Sequence, residues 1–578
     1  MNKKMSKSII IKNGRVYDPR NGIDGDKIQI HIQDGKIVEK VNEKDAKVID
    51  ASGMVVFPGG VDIHTHIAGP KINTGRTFRP EDHAKDPVPR TKITRGGSGY
   101  SCPSTFVTAY RYAQLGYTTL VEPAMAPLEA KHTHEEFMDM PIVDKLTFPV
   151  FGNNWFVLQY VKTNDIDKLS AYIAWLLETT KGYAVKIVNP GGVESWAWGK
   201  NCESLDDPVL YWDVTPRQIL EGLSTANEKL GLPHTIHVHA NNLGHPGNYT
   251  HTLETFKTLE KINPTAGRKK VMHLTHCQFN CYGGTNWGNF ESAASKVADY
   301  LNSHEHITID IGQVIFTNTT TMTGDGPWEY ALHHISGMSP WGAKPGCKWI
   351  NGQVEAECGA GLVPYIFNPK VAVNAIQWAI GLELLLSIKN KEQIFLTTDH
   401  PNGGPFTFYP RVLKWLMDRK SRVNMLENIV SPKADSQTGL KAIDAELSLY
   451  ELVQCTRSGT AKCLGLEDKG HLGIGADGDV SIYKFNPDAE NKGDEIEKAF
   501  TLAAYTIKRG EIVVKNGEVM ATPMGDTIWT KANVKENLMD AVIQDIKEKW
   551  RDHYSVNFNN YPVQEAYLPK QKIITTNS

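Results

Sequence analysis

The stretch from Val55 to His66 constrains this chain more than any other. Val55 to Ile63 is apolar and β-branched, is interrupted by Pro58-Gly59-Gly60, and runs into His64-Thr65-His66. That composition favours an extended, buried strand. Residues two apart in a strand face the same side, so His64 and His66 project together, as chelation of one metal ion requires. Imidazole suits zinc and similar borderline metals. On this spacing alone, a metal-free pair of histidines on one strand face stands level with a metal site.

The chain has 578 residues, too many for one core, so two or three domains are expected. Hydrophobic residues make up 40% and charged residues 22%, as in an ordinary globular protein. A formal charge of -3 gives no basic field and argues against a nucleic-acid partner. The basic start, Met1 to Lys7, is followed by too short an apolar run for a signal peptide. No stretch reads as a membrane span; Val371 to Ile388 comes nearest, but Asn374, Gln377 and Glu383 interrupt it and a packed helix is predicted. Eight cysteines, with Cys277 and Cys281 as the only close pair, make neither a disulfide scaffold nor an iron–sulfur pattern. Free thiols and a reducing cytoplasm are expected.

Both ends of the chain read as short strands and turns. Ile9 to Tyr17 and Ile28 to Val38 are hairpin-like, with Asn13-Gly14 and Asp34-Gly35 at the turns. Gly473 to Tyr483 and Tyr505 to Glu518 repeat the pattern. One discontinuous β-sandwich is expected from 1–56 and 456–525. Between them, 57–455 alternates β-branched runs with helical patterns, which predicts an α/β fold, a (β/α)8 TIM-type barrel with chemistry at the C-terminal ends of its strands. Residues 67–104 and 312–364 read as insertions over the barrel mouth. The tail, 526–578, holds an amphipathic helix from Val534 to Trp550 and an aromatic segment that either wraps its own chain or docks a partner.

Four later runs end in ligand-type side chains. Lys186 closes Tyr183 to Val188; an amine at the end of a buried strand is either paired or chemically altered, and desolvation lowers its pKa. His237 and His239 face one way on the next strand. His273 and His276 follow, with His276 favoured as nearer the strand end and His273 as the alternative. Asp399 follows the apolar Ile394 to Leu396, where a carboxylate can bind a metal and act as a base; a surface-loop aspartate is the alternative.

In this order these residues resemble the amidohydrolase superfamily, and the chain's two β ends resemble its hydantoinase and dihydropyrimidinase branch. The resemblance implies that His64, His66, carboxylated Lys186, His239, His276 and Asp399 hold two divalent ions, zinc by default, with the carbamate bridging them and Asp399 moving protons. Asn241 departs from the pattern, standing where an acidic residue is usual. His66 to Asn73, Arg79-Pro80-Glu81-Asp82, Asn189 to Gly192, His276 to Gly283 and Thr398 to Phe406 further resemble the family of the A component of formylmethanofuran dehydrogenases, over nearly the whole chain. That implies condensation of formate with the primary amine of methanofuran. It also implies partners: a molybdenum or tungsten formate dehydrogenase-like subunit that reduces CO2, and iron–sulfur subunits, since this chain carries no redox motif. Lys71, Arg76, Arg79, Asn189, His400 and Asn402 are the expected substrate contacts. The competing readings are a free-standing cyclic amidase and a non-catalytic structural subunit.

Overall fold

The computed structural model describes residues 8–265, 267–338, 350–354, 357–489 and 493–577. The basic start read at Met1 to Lys7, and parts of the insertion read at 312–364, lie outside the described residues. The element that places the site is a series of eight short parallel strands: β1 (Gly60–Asp62), β2 (Tyr117–Met125), β3 (Asp144–Pro149), β4 (Lys186–Val188), β5 (Ile236–His239), β6 (Met272–Leu274), β7 (Ile307–Asp310) and β8 (Ile394–Phe395). Strands β1 to β3 pair side by side, as do β4 to β8. Single parallel bridges join Val150 to Lys186 and Thr65 to His400, so parallel pairing passes from β3 to β4 and returns from the end of β8 to the end of β1. Helices intervene, among them Thr105–Gln114, Ile166–Thr180, Pro216–Lys229, Tyr249–Thr258, Ala294–Ser303 and Ala372–Ser387. The last of these is the apolar 371–388 run, and among the described residues no helix is long and apolar enough to cross a membrane.

Register sorts the interior side chains into layers. Lys186 pairs with His237, His237 with His273 and His273 with Thr308, so these four form one row across adjacent parallel strands. His239 lies two residues further along β5, opposite Val188. The strands are shorter than the apolar runs that announced them: β4 starts at Lys186 and β8 ends at Phe395. His276 and Asp399 therefore stand on the loops beyond their strands. Both adopt left-handed backbone conformations, φ 36° and 48°, which L-residues other than glycine adopt at a cost.

The segments over 8–58 and 480–519 meet in one place. A seven-stranded sheet interleaves Arg15–Asp18, Ile23–Asp26 and Val55–Pro58 with Val480–Tyr483 and the strands over 505–519; Val56 lies opposite Ile482. A four-stranded sheet of Ser8–Lys12, Ile30–Gln33, Lys36–Val38 and Ala46–Asp50 shares a core with it, built from Ile9, Ile11, Ile32, Ile49, Val56, Val480, Ile482 and Ile507. Each buried Ile or Val contributes roughly 1.5–3 kcal/mol relative to exposure.

The tail folds back on its own chain. Helix Glu536–His553 packs on Ile166–Thr180, and Trp550 stacks on Tyr554 at 4.1 Å between ring centroids. A terminal strand, Gln571–Asn577, runs parallel to Thr527–Asn533, which itself touches β3 through Thr527 and Lys145. The aromatic pattern of the tail carries no sign of this last strand. Of the mouth insertions, 67–104 forms helix Pro70–Phe78 and a short ribbon, while 318–366 contributes the antiparallel strands Asn318–Thr323, Ile350–Val354 and Cys358–Ile366 and helix Gly326–Met338. Cys102, Cys202, Cys277, Cys281, Cys455 and Cys463 are free and buried.

Candidate active site

A small cavity of ≈ 30 Å³ is lined by His64 and His66 beyond β1, Lys186 on β4, His239 at the end of β5, His276 beyond β6, and Asp399 and Asn402 beyond β8, and is closed by Thr321, Thr323, Gly324 and Trp328 from the mouth insertion. A larger surface groove of ≈ 880 Å³ runs beside Trp415 and Lys420; in it Arg411 pairs with Glu497 at 3.0 Å and Lys414 with Asp494, and it contains none of the site residues predicted from the sequence.

Asp399 Oδ1 lies 3.0 Å from His64 Nε2 and 3.4 Å from His66 Nε2, yet receives a hydrogen bond from no described group. Its other oxygen is held by Asn402 Nδ2 at 2.9 Å. Burial works against this carboxylate, but His66 and His276 beside it pull its pKa below the ordinary value. The Nδ1 of His276 is also buried without a hydrogen-bond partner among the described residues, while its Nε2 lies 2.8 Å from Thr275 Oγ1. His64, His276 and Asp399 each offer a ligand atom within 4.8 Å of the others. The rings of His239 and His276 stand 4.6 Å apart at 79°. Lys186 is 1% exposed, and burial pushes its amine down to about 7 despite Asp399 and Asp310 nearby. Unpaired, buried nitrogen and oxygen donors converging on one point form a donor set suited to divalent metal ions.

Buried neighbours orient these side chains. His66 Nδ1 lies 2.9 Å from Glu122 Oε1, and the second oxygen of Glu122 accepts from the backbone N–H of Ile67 and Ala68. His64 Nδ1 lies 3.0 Å from His237 Nε2, whose other nitrogen meets His234 at 3.1 Å. His239 Nε2 lies 2.9 Å from Asp325 Oδ2. His273, one layer below, is satisfied by Thr308 and by Asp310 at 3.0 Å; Asp310 also accepts from the His276 backbone N–H and Thr397. Gly312 leaves room for His276, since a Cβ there would stand 2.4 Å from the His276 Cβ.

The expected substrate contacts fall into three groups. Lys71 is 7% exposed, its amine has no hydrogen-bond partner among the described residues, and it lines a small pocket with His66 and Glu122. Arg76 and Arg79 are engaged inside the chain: Arg76 with Glu136 at 2.9 Å and the Pro103 carbonyl, Arg79 with Asp82 at 3.2 Å and the Thr319 carbonyl. Asn402 lines the cavity, while Asn189 and His400 stand behind it. Asn189 donates to Asp325 and accepts from Asn241, the His400 carbonyl accepts from the His66 N–H, and Asn402 holds Asp399. Sequence reading missed Glu122, Asp310 and Asp325. The first two close apolar β runs, the same signal that singled out Asp399.

The amidohydrolase family model matches residues 47–514. The chain belongs to the amidohydrolase family. This amidohydrolase is 53% identical to protein FwdA of Methanocaldococcus jannaschii over 98% of both chains. It is 36% identical to the A component of the formyltransferase/hydrolase complex Fhc of Methylorubrum extorquens over 97% of both chains. Its fold is similar to that of a chain in the crystal structure of the Methylorubrum extorquens FhcABCD complex with methylofuran, with a TM-score of 0.87 and 32% identity, covering 99% of this amidohydrolase and 100% of that chain.

Proposed function

We propose that this amidohydrolase is the component of a formylmethanofuran dehydrogenase complex that joins formate to the primary amine of methanofuran, and that cleaves the N-formyl amide in reverse. The observation that carries this reading is the convergence of Lys186, His276 and Asp399 donors on one cavity in a chain that aligns end to end with FwdA and the Fhc A component. The circuit of eight parallel pairings supports a (β/α)8 barrel over 57–455. The core shared by the two end sheets supports a β-sandwich of 1–56 and 456–525, while 526–578 adds two strands, Thr527–Asn533 and Gln571–Asn577, to the sheet of β1 to β3.

His64, His66, His239, His276, Asp399 and the carbamate of Lys186 would hold two divalent ions, zinc given the mixed nitrogen and oxygen donors. When bound, such ions polarise a carboxyl or amide carbonyl and lower the pKa of water. Burial leaves much of the Lys186 amine neutral near pH 7, and the neutral amine is the form that adds CO2. In synthesis the amine arrives as an ammonium. Asp399 accepts a proton from it and frees the nitrogen to attack the formate carbon. The nitrogen sheds two protons in all; the carbon loses one oxygen, which leaves with both as water. Asn402 keeps one Asp399 oxygen occupied, so the other faces the cavity. The partners expected are iron–sulfur subunits together with a molybdenum or tungsten formate dehydrogenase-like subunit, in the cytoplasm.

The test is a comparison of substrates on the purified, zinc-loaded chain. Formate release from N-formylmethanofuran with no turnover of dihydrouracil is expected. Turnover of dihydrouracil in its place would defeat the reading in favour of a cyclic amidase.

A further inference from the structure

We infer that Asp325 is a positioning residue that fixes which nitrogen of His239 faces the metal site and so couples metal binding to closure of the mouth insertion. The inference rests on the metal site proposed above. A histidine that ligates a metal through one ring nitrogen donates its other N–H to a carboxylate or carbonyl, and that bond sets its tautomer and ring orientation. His66 follows this pattern through Glu122 on Nδ1, which leaves Nε2 toward Asp399. His64 also has its Nδ1 engaged, by a ring nitrogen of His237 at 3.0 Å, which leaves its Nε2 toward Asp399. His239 is the reverse case. Its Nε2 lies 2.9 Å from Asp325 Oδ2, so the nitrogen left to ligate is Nδ1.

Asp325 is held tightly enough to act in this way. It is 2% exposed. Its Oδ1 accepts from Asn189 Nδ2 at 3.0 Å and from the Trp328 N–H at 3.2 Å, and its own N–H donates to Thr323 Oγ1 at 3.1 Å. The Asn189 N–H in turn donates to the His239 carbonyl at 2.8 Å. Asn189, Asp325 and His239 thus close a small ring that ties the ends of β4 and β5 to the mouth segment.

Where the other orienting groups belong to the strand ends, Asp325 does not. It stands between strand Asn318–Thr323 and helix Gly326–Met338, and its neighbours Thr323, Gly324 and Trp328 close the cavity. If this segment lifts, His239 loses its partner. By linkage, what the segment contributes to metal affinity the metal returns to closure of the segment.

The experiment uses the full chain, stripped and reloaded with zinc, in wild type, Asp325→Ala and Asp325→Asn. Two quantities are read: the rate of zinc release to a chelator, and amide hydrogen exchange in 318–333 with and without zinc. The expected result is release about 10–100-fold faster in Asp325→Ala, with zinc-dependent protection of 318–333 present in wild type and absent in the variant. Asp325→Asn, which keeps the shape without the charge, shows the same direction with a smaller change and serves if the alanine variant misfolds. Wild-type release rates and undiminished protection in folded variants would overturn the inference and leave the proposed function standing. A wild-type chain that binds no zinc would overturn both.

Discussion

At the scale of single residues the site divides its labour by environment. Asp399 lines the cavity with one oxygen left over, because Asn402 holds the other. Glu122 and Asp310 have both oxygens committed to the His66 and His273 rings and to backbone N–H groups. Asp399→Asn is therefore expected to lower the rate of formyl transfer and hydrolysis by about 10²–10⁴; a rate within about threefold of wild type, measured by single turnover, would remove Asp399 from the proton-transfer role. The sequence announced Asp399, His64 and His66 because each follows an apolar run. It left His273 and His276 as alternatives because a strand's end is not marked to within two residues. The register decides their surroundings: His273 falls in the row of Lys186 and His237, with both nitrogens engaged, while His276 reaches the rim with one nitrogen unpaired.

At the scale of elements, the strand series and the two end sheets are joined by a buried charge cluster. Asp144, the first residue of β3, meets Lys469 at 2.5 Å and Lys508 at 2.7 Å; Asp479 meets Lys469 at 3.0 Å and Lys508 at 2.8 Å, and Asp477 meets Lys469 at 2.6 Å. Burial alone would raise the Asp144 carboxyl, but Lys469, Lys508 and Arg509 together hold it well below the ordinary range. A depressed value means stability present above the unfolded aspartate value of about 3.9 and lost as pH falls below it. Asp144→Asn is expected to destabilise the fold by about 3–5 kcal/mol at neutral pH, since it leaves buried lysines short of charge, and to flatten the loss of stability between about pH 5 and pH 3. Urea unfolding across that range checks it; an unchanged slope would show that the cluster does not carry the acid sensitivity. Glycine-rich phrases such as Gly475-Ala476-Asp477-Gly478-Asp479 were readable as β-domain turns. Nothing in their spacing said that their aspartates share lysines with β3, because that cluster joins positions more than about 300 residues apart in the chain.

Across the whole molecule, the C-terminal tail is tied to the mouth insertion through one carboxyl. Glu357 is fully buried and accepts from Tyr554 at 2.9 Å, Tyr561 at 2.5 Å and the Leu128 N–H at 2.7 Å. Burial raises its pKa to about 7, against the lowering pull of these donors. With the folded value raised, its contribution to stability is complete below about pH 4.5 and lost as pH rises through about 7, worth about 3 kcal/mol over the window. Glu357→Gln has no such titration, so its stability relative to wild type is expected to rise between about pH 5 and pH 8; a constant difference in thermal unfolding across that range would contradict this. The sequence presented the tail's tyrosines as a choice between self-wrapping and docking, and composition does not separate the two. In the fold they wrap, because Tyr561 stacks on Trp175 of helix Ile166–Thr180 and Trp550 on Tyr554, with helix Glu536–His553 packed on the same helix.

The measurement that tests the central claim most directly is formate release from N-formylmethanofuran by the wild-type and Lys186→Ala chains, with bound metal counted on the same samples. Release by wild type carrying two metal ions per chain, and loss of both release and metal in the variant, is the predicted result. A wild-type chain that carries two ions and releases no formate, or a Lys186→Ala chain that keeps full activity, would contradict it.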